Sequence, residues 1–229
     1  MSPETPFSCP PPCPHSCLPS PEKDFTLIHA DPALLVVNKP ARLLSVPGRG
    51  ENKQDSLIRR VQARYPEALI VHRLDFDTSG LLVLARGKEM HRKLSILFQN
   101  RQTEKRYAAI VSGHPVPECG TIDLPLNVDW PNRPLHKVDF EAGKPSLTRY
   151  RVVEHNGGDS RVALIPETGR THQLRVHMQA IGHTILGDPL YAGVEAKSRA
   201  SRLLLHAELL AFPHPASGKT VRFESPPDF

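Results

Sequence analysis

The chain has 229 residues, 39% of them apolar and 23% charged, a balance that excludes fibrous and wholly disordered classes and leaves room for one good core. No apolar run approaches the roughly 18 residues of a membrane span, and no charged segment followed by an apolar stretch marks a secretory signal, so the expected compartment is the cytoplasm, with no membrane partner. The net charge of +5 fits a polyanionic partner.

Residues 1–21 contain eight of the 24 prolines and lack periodicity, so a disordered tail is expected there. Cys9, Cys13 and Cys17 recur every fourth residue around His15, but the intervening prolines do not suit a closed zinc loop, and no metal is expected. A cytosolic chain also gives little reason for disulfides. Order begins with a strand at Phe25–His29 and a second at Leu34–Val37, stopped by Asn38-Lys39-Pro40. Lys39 reads as a solvated edge residue or a phosphate contact. The crossing loop Leu43–Gly50 lacks the Gly-Lys-Ser/Thr of a nucleotide-binding loop. Asp55 is expected to cap a helix with Leu57, Ile58, Val61 and Tyr65 on one face and its arginines on the other.

Ala68–Val71 and Leu81–Ala85 read as buried strands bounded by turn residues. Between them His72-Arg73-Leu74-Asp75-Phe76-Asp77-Thr78-Ser79-Gly80 places four ionisable side chains in a short loop. Polar groups at the mouth of buried strands are expensive unless paired or used. A carboxylate such as Asp75 on a rigid support suits catalysis; a simple ion pair with Arg73 is the bland alternative. The His-Arg pair near an Asp does not make a kinase loop, because Leu74 intervenes and no glycine-rich phosphate loop is evident.

Lys88–Gln99 is expected to be a helix and 103–111 a strand, in which the spacing alone favours Tyr107 as an ordinary core or edge aromatic. Thr121–Leu124 and Lys137–Phe140 read as short strands around a loop at 129–134. There Trp130, beside Arg133, reads either as a base-stacking residue or as the centre of a satellite core. A hairpin is expected around Asn156-Gly157-Gly158-Asp159. Leu174, Met178 and Ile181 follow helical spacing, placing Arg175 near a helix N-terminus, where anions are favoured; a core ion pair is the alternative for Arg175. His172 and His177 are badly spaced for two metal ligands on one helix. Leu203–Ala207 and Val221–Phe223 close the sheet. Many short strands, about three helices and no regular β-α alternation predict an α+β fold with a mainly antiparallel, mixed sheet. Basic clusters at Arg59, Arg60 and Arg64, at Arg86–Lys93, at Arg101–Arg106 and at Arg170–His177 flank the Asp75 loop, shifting the odds toward phosphate contacts.

His72-Arg73-Leu74-Asp75 with Thr78-Ser79-Gly80 resembles the signature of the RluA family of pseudouridine synthases. Lys105-Arg106-Tyr107 resembles that family's tyrosine strand, and Gly169–His177 its arginine-histidine segment. Gly187-Asp188-Pro189-Leu190-Tyr191 and Leu205-His206-Ala207 are further matches. The similarity runs from about Phe25 to Phe229. Ser45–Arg49, Asp129–Pro134 and Pro226–Phe229 resemble the small single-domain branch, so 22–229 is expected to be one catalytic domain without an S4 domain. The resemblance implies isomerisation of uridine to pseudouridine in RNA stem-loops, a tRNA anticodon arm and large-subunit ribosomal RNA, by a monomer that needs no cofactor. It implies Asp75, Tyr107 and Arg175 as catalytic residues, with Arg73, His72, Arg170, His172, Lys105 and Arg106 contacting RNA. Arg73 would take the place of an extruded base. Two other readings are a glycosidase-like enzyme using Asp75 and Asp77 and a non-catalytic RNA-binding module.

Overall fold

The structure, a computed structural model, describes residues 24–229; the proline-cysteine tail, with its proposed disorder and its zinc alternative, lies outside the described residues. In chain order the strands are β1 (Thr26–Ala30), β2 (Leu34–Lys39), β3 (Ala68–Ile70), β4 (Ser79–Arg86), β5 (Glu104–Ser112), β6 (Cys119–Asp123), β7 (Leu126–Val128), β8 (His136–Val138), β9 (Leu147–Asn156), β10 (Asp159–Pro166), β11 (Leu205–Pro213) and β12 (Thr220–Glu224). The helices are α1 (Leu57–Gln62), α2 (Lys88–Gln99), α3 (Gln173–Ala180) and the short α4 (Val194–Ser198).

Ten strands make one sheet in the order β1-β2-β4-β11-β5-β10-β9-β6, with β3 added to β4 and β12 to β11; β7 and β8 form a separate hairpin. Among the described residues every strand pairing is antiparallel except β4 with β11. This is the expected α+β class with a mixed, mainly antiparallel sheet.

β2 and β4 read as almost unbroken apolar runs because both of their faces are covered. Leu35, Val37, Leu82 and Leu84 face one core with α1, while Leu34, Val36, Leu81 and Val83 face another that includes Leu94 of α2. A third core under β5, β10 and α3 collects Val162, Leu164, Leu174 and Met178. β3 pairs with β4, so residues 71–78 form the wide loop joining two paired strands at the middle of the sheet. The parallel contact of β4 with β11 demands Gly80: its φ is +117°, and a Cβ there would sit 2.4 Å from the backbone of Ala207.

Several expectations needed correction. Ser56, not Asp55, is the α1 N-cap residue, and Asp55 instead meets Arg60 at 2.6 Å. The strand β7 and the helix α4 lie outside the predicted elements, since both are too short to show a period. Lys39 is neither an edge residue nor a phosphate ligand. It is completely buried, and its ammonium donates to the carbonyls of Pro40, Leu43 and Phe76 at 2.9, 2.7 and 3.2 Å.

Candidate active site

The loop before β4, the start of β5 and the segment leading into α3 converge on a cleft of about 550 Å³, a size suited to one nucleotide. Arg73, Asp75, Lys105, Tyr107, Arg170, His172 and Arg175 all line it. Residues more than a hundred positions apart in sequence therefore meet because β5 crosses the sheet next to β11, which itself lies against β4.

The Asp75 loop is tied down on both sides. The Ser45 hydroxyl donates to the carbonyl of Leu74 and accepts its N–H, at 2.7 and 3.1 Å, across a buried contact. The Lys39 ammonium holds the carbonyl of Phe76. Burial pushes the Lys39 amine down to about 7, opposed by the charges of Asp75 and Asp77. All three donors of an ammonium are matched by carbonyls, so the side chain acts as a rivet between the end of β2 and the loop. Asp75 is thus fixed by its two chain neighbours while its own carboxylate stays partly open to the cleft.

The nearest cation is Arg175, whose Nη1 lies 3.9 Å from Asp75 Oδ2. That guanidinium is itself held by Asp188 through two bonds, Nε to Oδ2 at 2.7 Å and Nη2 to Oδ1 at 2.6 Å, and both side chains are only 1% exposed. Asp188 Oδ1 also accepts the N–H groups of Leu190 and Tyr191, and the Tyr191 ring lies beneath the guanidinium. Burial disfavours the charge on Arg175, but Asp188, Asp75 and Asp77 together hold its pKa above the ordinary value. Asp77 does not line the cleft, and burial raises its carboxyl pKa.

His172 occupies a left-handed conformation (φ 56°) at the start of α3, a strained position for a residue with a side chain. The Tyr191 hydroxyl accepts the N–H of His136 and lies 2.7 Å from His172 Nδ1. Burial pushes the Tyr191 phenol up to about 12, so it stays protonated and donates to Nδ1. The His172 proton then resides on Nε2. Burial pushes the imidazole down to about 4, so it is neutral at pH 7. Tyr107 spans two cores, and burial together with the charge of Asp75 pushes its hydroxyl well above the usual phenol range.

Arg73 and Arg170 are exposed at the cleft mouth, where Arg73 Nη2 reaches Thr171 Oγ1 at 3.4 Å from the opposite wall. Arg101 joins them in the lining. Two expected RNA contacts are placed differently. Arg106 points to the other side of β5, away from Lys105 and Tyr107, and pairs with Glu208. His72 lines the cleft, but its Nε2 accepts the N–H of Val83 and its ring stacks on Phe98 at 4.5 Å. His177 is likewise spent on the fold, bonding Thr148 and Leu124, and among the described residues no side-chain group forms a metal site.

Ser45, Lys39 and Asp188 were missed as site residues. Asp188 had a signal in its Gly-Asp-Pro turn, and a buried arginine is costly unless its charge is compensated. Ser45 and Lys39 drew notice only for other reasons, a loop match and a phosphate contact, because their role here exists only once the loop folds back over them.

The RNA pseudouridylate synthase family matches residues 33–180. The dual-specificity RNA pseudouridine synthase RluA of Escherichia coli K12 is 52% identical over 212 residues, covering 92% of this chain and 97% of that protein. The protein of the same name from Vibrio parahaemolyticus is 53% identical over 196 residues, covering 83% and 78%. Among solved structures, human RNA pseudouridylate synthase domain containing 1 superposes with a TM-score of 0.77 at 31% identity, covering 93% of this chain and 87% of that one.

Proposed function

The chain belongs to the RNA pseudouridylate synthase family, and from that premise we propose that Asp75 drives the isomerisation of uridines in two classes of RNA stem-loop, a tRNA anticodon arm and large-subunit rRNA. The enzyme class itself follows from membership: an intramolecular transfer on RNA uridine. The dual-specificity name carried by relatives above 50% identity supports two RNA classes.

The reaction breaks the C1′–N1 bond and forms C1′–C5; N1 gains a proton and C5 loses one. No electrons are exchanged, so the demands are access, an ionised carboxylate at the sugar, a seat for the detached uracil and proton transfer. Access requires extruding the nucleotide, which takes a few kcal/mol and least in loops. Arg73 stands at the cleft mouth where the base would leave, and its planar head can stack in the vacated place. Arg101, Lys105 and Arg170 offer phosphate contacts.

Asp75 acts at the ribose, either at C1′ or on the C2′ proton; both need the anion that Arg175 favours from 3.9 Å. The Tyr107 ring packs against the flipped base. Its hydroxyl stays protonated and so serves as a donor to a uracil carbonyl. His172, neutral with Nε2–H, offers RNA a donor without competing with Arg175 for Asp75. On this reading the enzyme works as a monomer in the cytoplasm, where its two RNA classes are made.

The observation that carries the reading is Asp75 facing a sealed guanidinium inside a basic, nucleotide-sized cleft. The test is tritium release from C5-labelled tRNA and rRNA stem-loops by the wild type and Asp75→Asn. Wild type is expected to release tritium from both without change in RNA mass, and the variant from neither while retaining RNA affinity. Near-normal release by the variant removes Asp75 from the chemistry. Free uracil in the supernatant would point to a hydrolase using Asp75 and Asp77 instead.

A further inference from the structure

The β7–β8 hairpin stands apart from the main sheet and carries the single tryptophan of the chain at its tip. Trp130 is 65% exposed, an expensive place for a large apolar ring that fills no core. It is nevertheless held. The Arg133 guanidinium lies over the indole at 3.6 Å from the ring centroid, covering one face. The tip is rigid: Asp129 N–H donates to Leu135 O at 2.9 Å, Asn132 N–H to Asp129 O at 3.1 Å, and the Asn132 side-chain amide to Asp129 Oδ2 at 2.9 Å. The satellite core of this hairpin is made instead by Leu126, Leu135 and Val138 with Val176 and Tyr191. Trp130 is therefore not needed for packing.

The hairpin is also tied to the cleft. His136 packs edge-on against His172 at 5.1 Å, and its N–H bonds the Tyr191 hydroxyl that fixes the His172 tautomer. Through His136 at the start of β8, the loop that carries the indole is joined to His172 of the cleft wall. A rigid aromatic backed by a guanidinium, with its second face open, is the form of a stacking platform for an unpaired base.

Resting on the RNA-modifying reading above, we propose that Trp130 and Arg133 form a second recognition site, outside the cleft, on which an unpaired nucleobase of the substrate stem-loop stacks while the target uridine occupies the cleft. The indole supplies contact with any base face; Arg133 preorganises it and adds positive charge beside the RNA backbone. The pair selects for RNAs that present an unpaired base one hairpin-length from the target uridine, and it excludes continuous duplex, whose bases are already stacked.

Because Trp130 is the chain's only tryptophan, its fluorescence reports this site alone. Asp75→Asn full-length protein is titrated with a tRNA anticodon stem-loop. Two signals are read together: absorption-corrected indole emission, and the anisotropy of a fluorophore on the RNA. Quenching that saturates with the anisotropy curve, with reduced access of acrylamide to the indole, supports the proposal. Trp130→Ala should weaken binding about tenfold or more, leaving the salt slope and the melting temperature unchanged, and Trp130→Phe should recover much of the loss. Normal anisotropy with unchanged emission, or full affinity in Trp130→Ala, overturns the platform and leaves the parent reading standing. An anisotropy that never rises means that the RNA does not bind, and overturns both.

Discussion

Arg175 reaches toward Asp75 with one nitrogen at 3.9 Å, yet gives its two short bonds to Asp188. The buried pair is the anchor and Asp75 is its beneficiary. Asp188 neutralises most of the guanidinium and aims it, so the remaining Nη1 faces the cleft without drawing the Asp75 carboxylate into a tight, unreactive ion pair.

Removing one partner of such a pair leaves the other buried without compensation, a loss of about 3–5 kcal/mol. Asp188→Asn should therefore lower the melting temperature markedly and, in whatever fraction remains folded, reduce turnover, although Asp188 touches no substrate. Arg175→Lys should do likewise, because a point charge cannot grip both carboxylate oxygens. Thermal melts combined with tritium release check both; a variant with wild-type melting would show that the pair contributes nothing.

Tyr107→Phe preserves the ring that spans two cores and deletes only the hydroxyl. Folding and RNA binding should survive while kcat falls by about a hundredfold, the usual scale for losing a positioned proton donor. Single-turnover kinetics at saturating RNA separates this from a binding defect.

Ser45→Ala removes the hydroxyl that satisfies both backbone groups of Leu74. Leaving a buried N–H without an acceptor is worth about 1–3 kcal/mol. Stability should drop by that amount, and kcat should fall more than KM rises, since Asp75 follows Leu74 directly. Chemical denaturation with parallel kinetics would expose the opposite pattern, in which KM alone changes.

Acid should destabilise the protein before any carboxylate of ordinary pKa titrates. Burial holds His72 at about 3, His172 at about 4 and His206 at about 4. The unfolded chain binds protons at these imidazoles below about pH 6.5 while the folded chain refuses them, so stability is lost as pH falls from about 6.5 toward about 4. The slope approaches about 1.4 kcal/mol per pH unit for each neutral imidazole. Asp77, raised by burial, runs in the opposite sense over the carboxylate range. His206 bonds the hydroxyl of Ser79 and the carbonyl of Ser225, away from the cleft lining, so His206→Gln should flatten the acid limb of a stability–pH curve. An equally steep limb in that variant would assign the proton uptake elsewhere.

Much of this molecule was legible in one dimension. The apolar runs of β2 and β4 marked buried strands, and the stretch Lys88–Gln99 read as the helix that the structure shows as α2, with Met90, Leu94, Leu97 and Phe98 packed in one core. The polar loop interrupting that apolar pattern marked Asp75, because ionisable groups do not sit beside buried strands without a use. What sequence could not state is which charges meet. Arg175 and Asp188 are joined by folding alone, Lys39 became a rivet only when the loop closed over it, and Arg106 was turned from the cleft by the two-residue alternation of β5. Periodicity reports which side of an element is buried and follows from local geometry. Pairings between distant side chains depend on how the strands are ordered across the sheet, and that order is set by the packing of the whole chain.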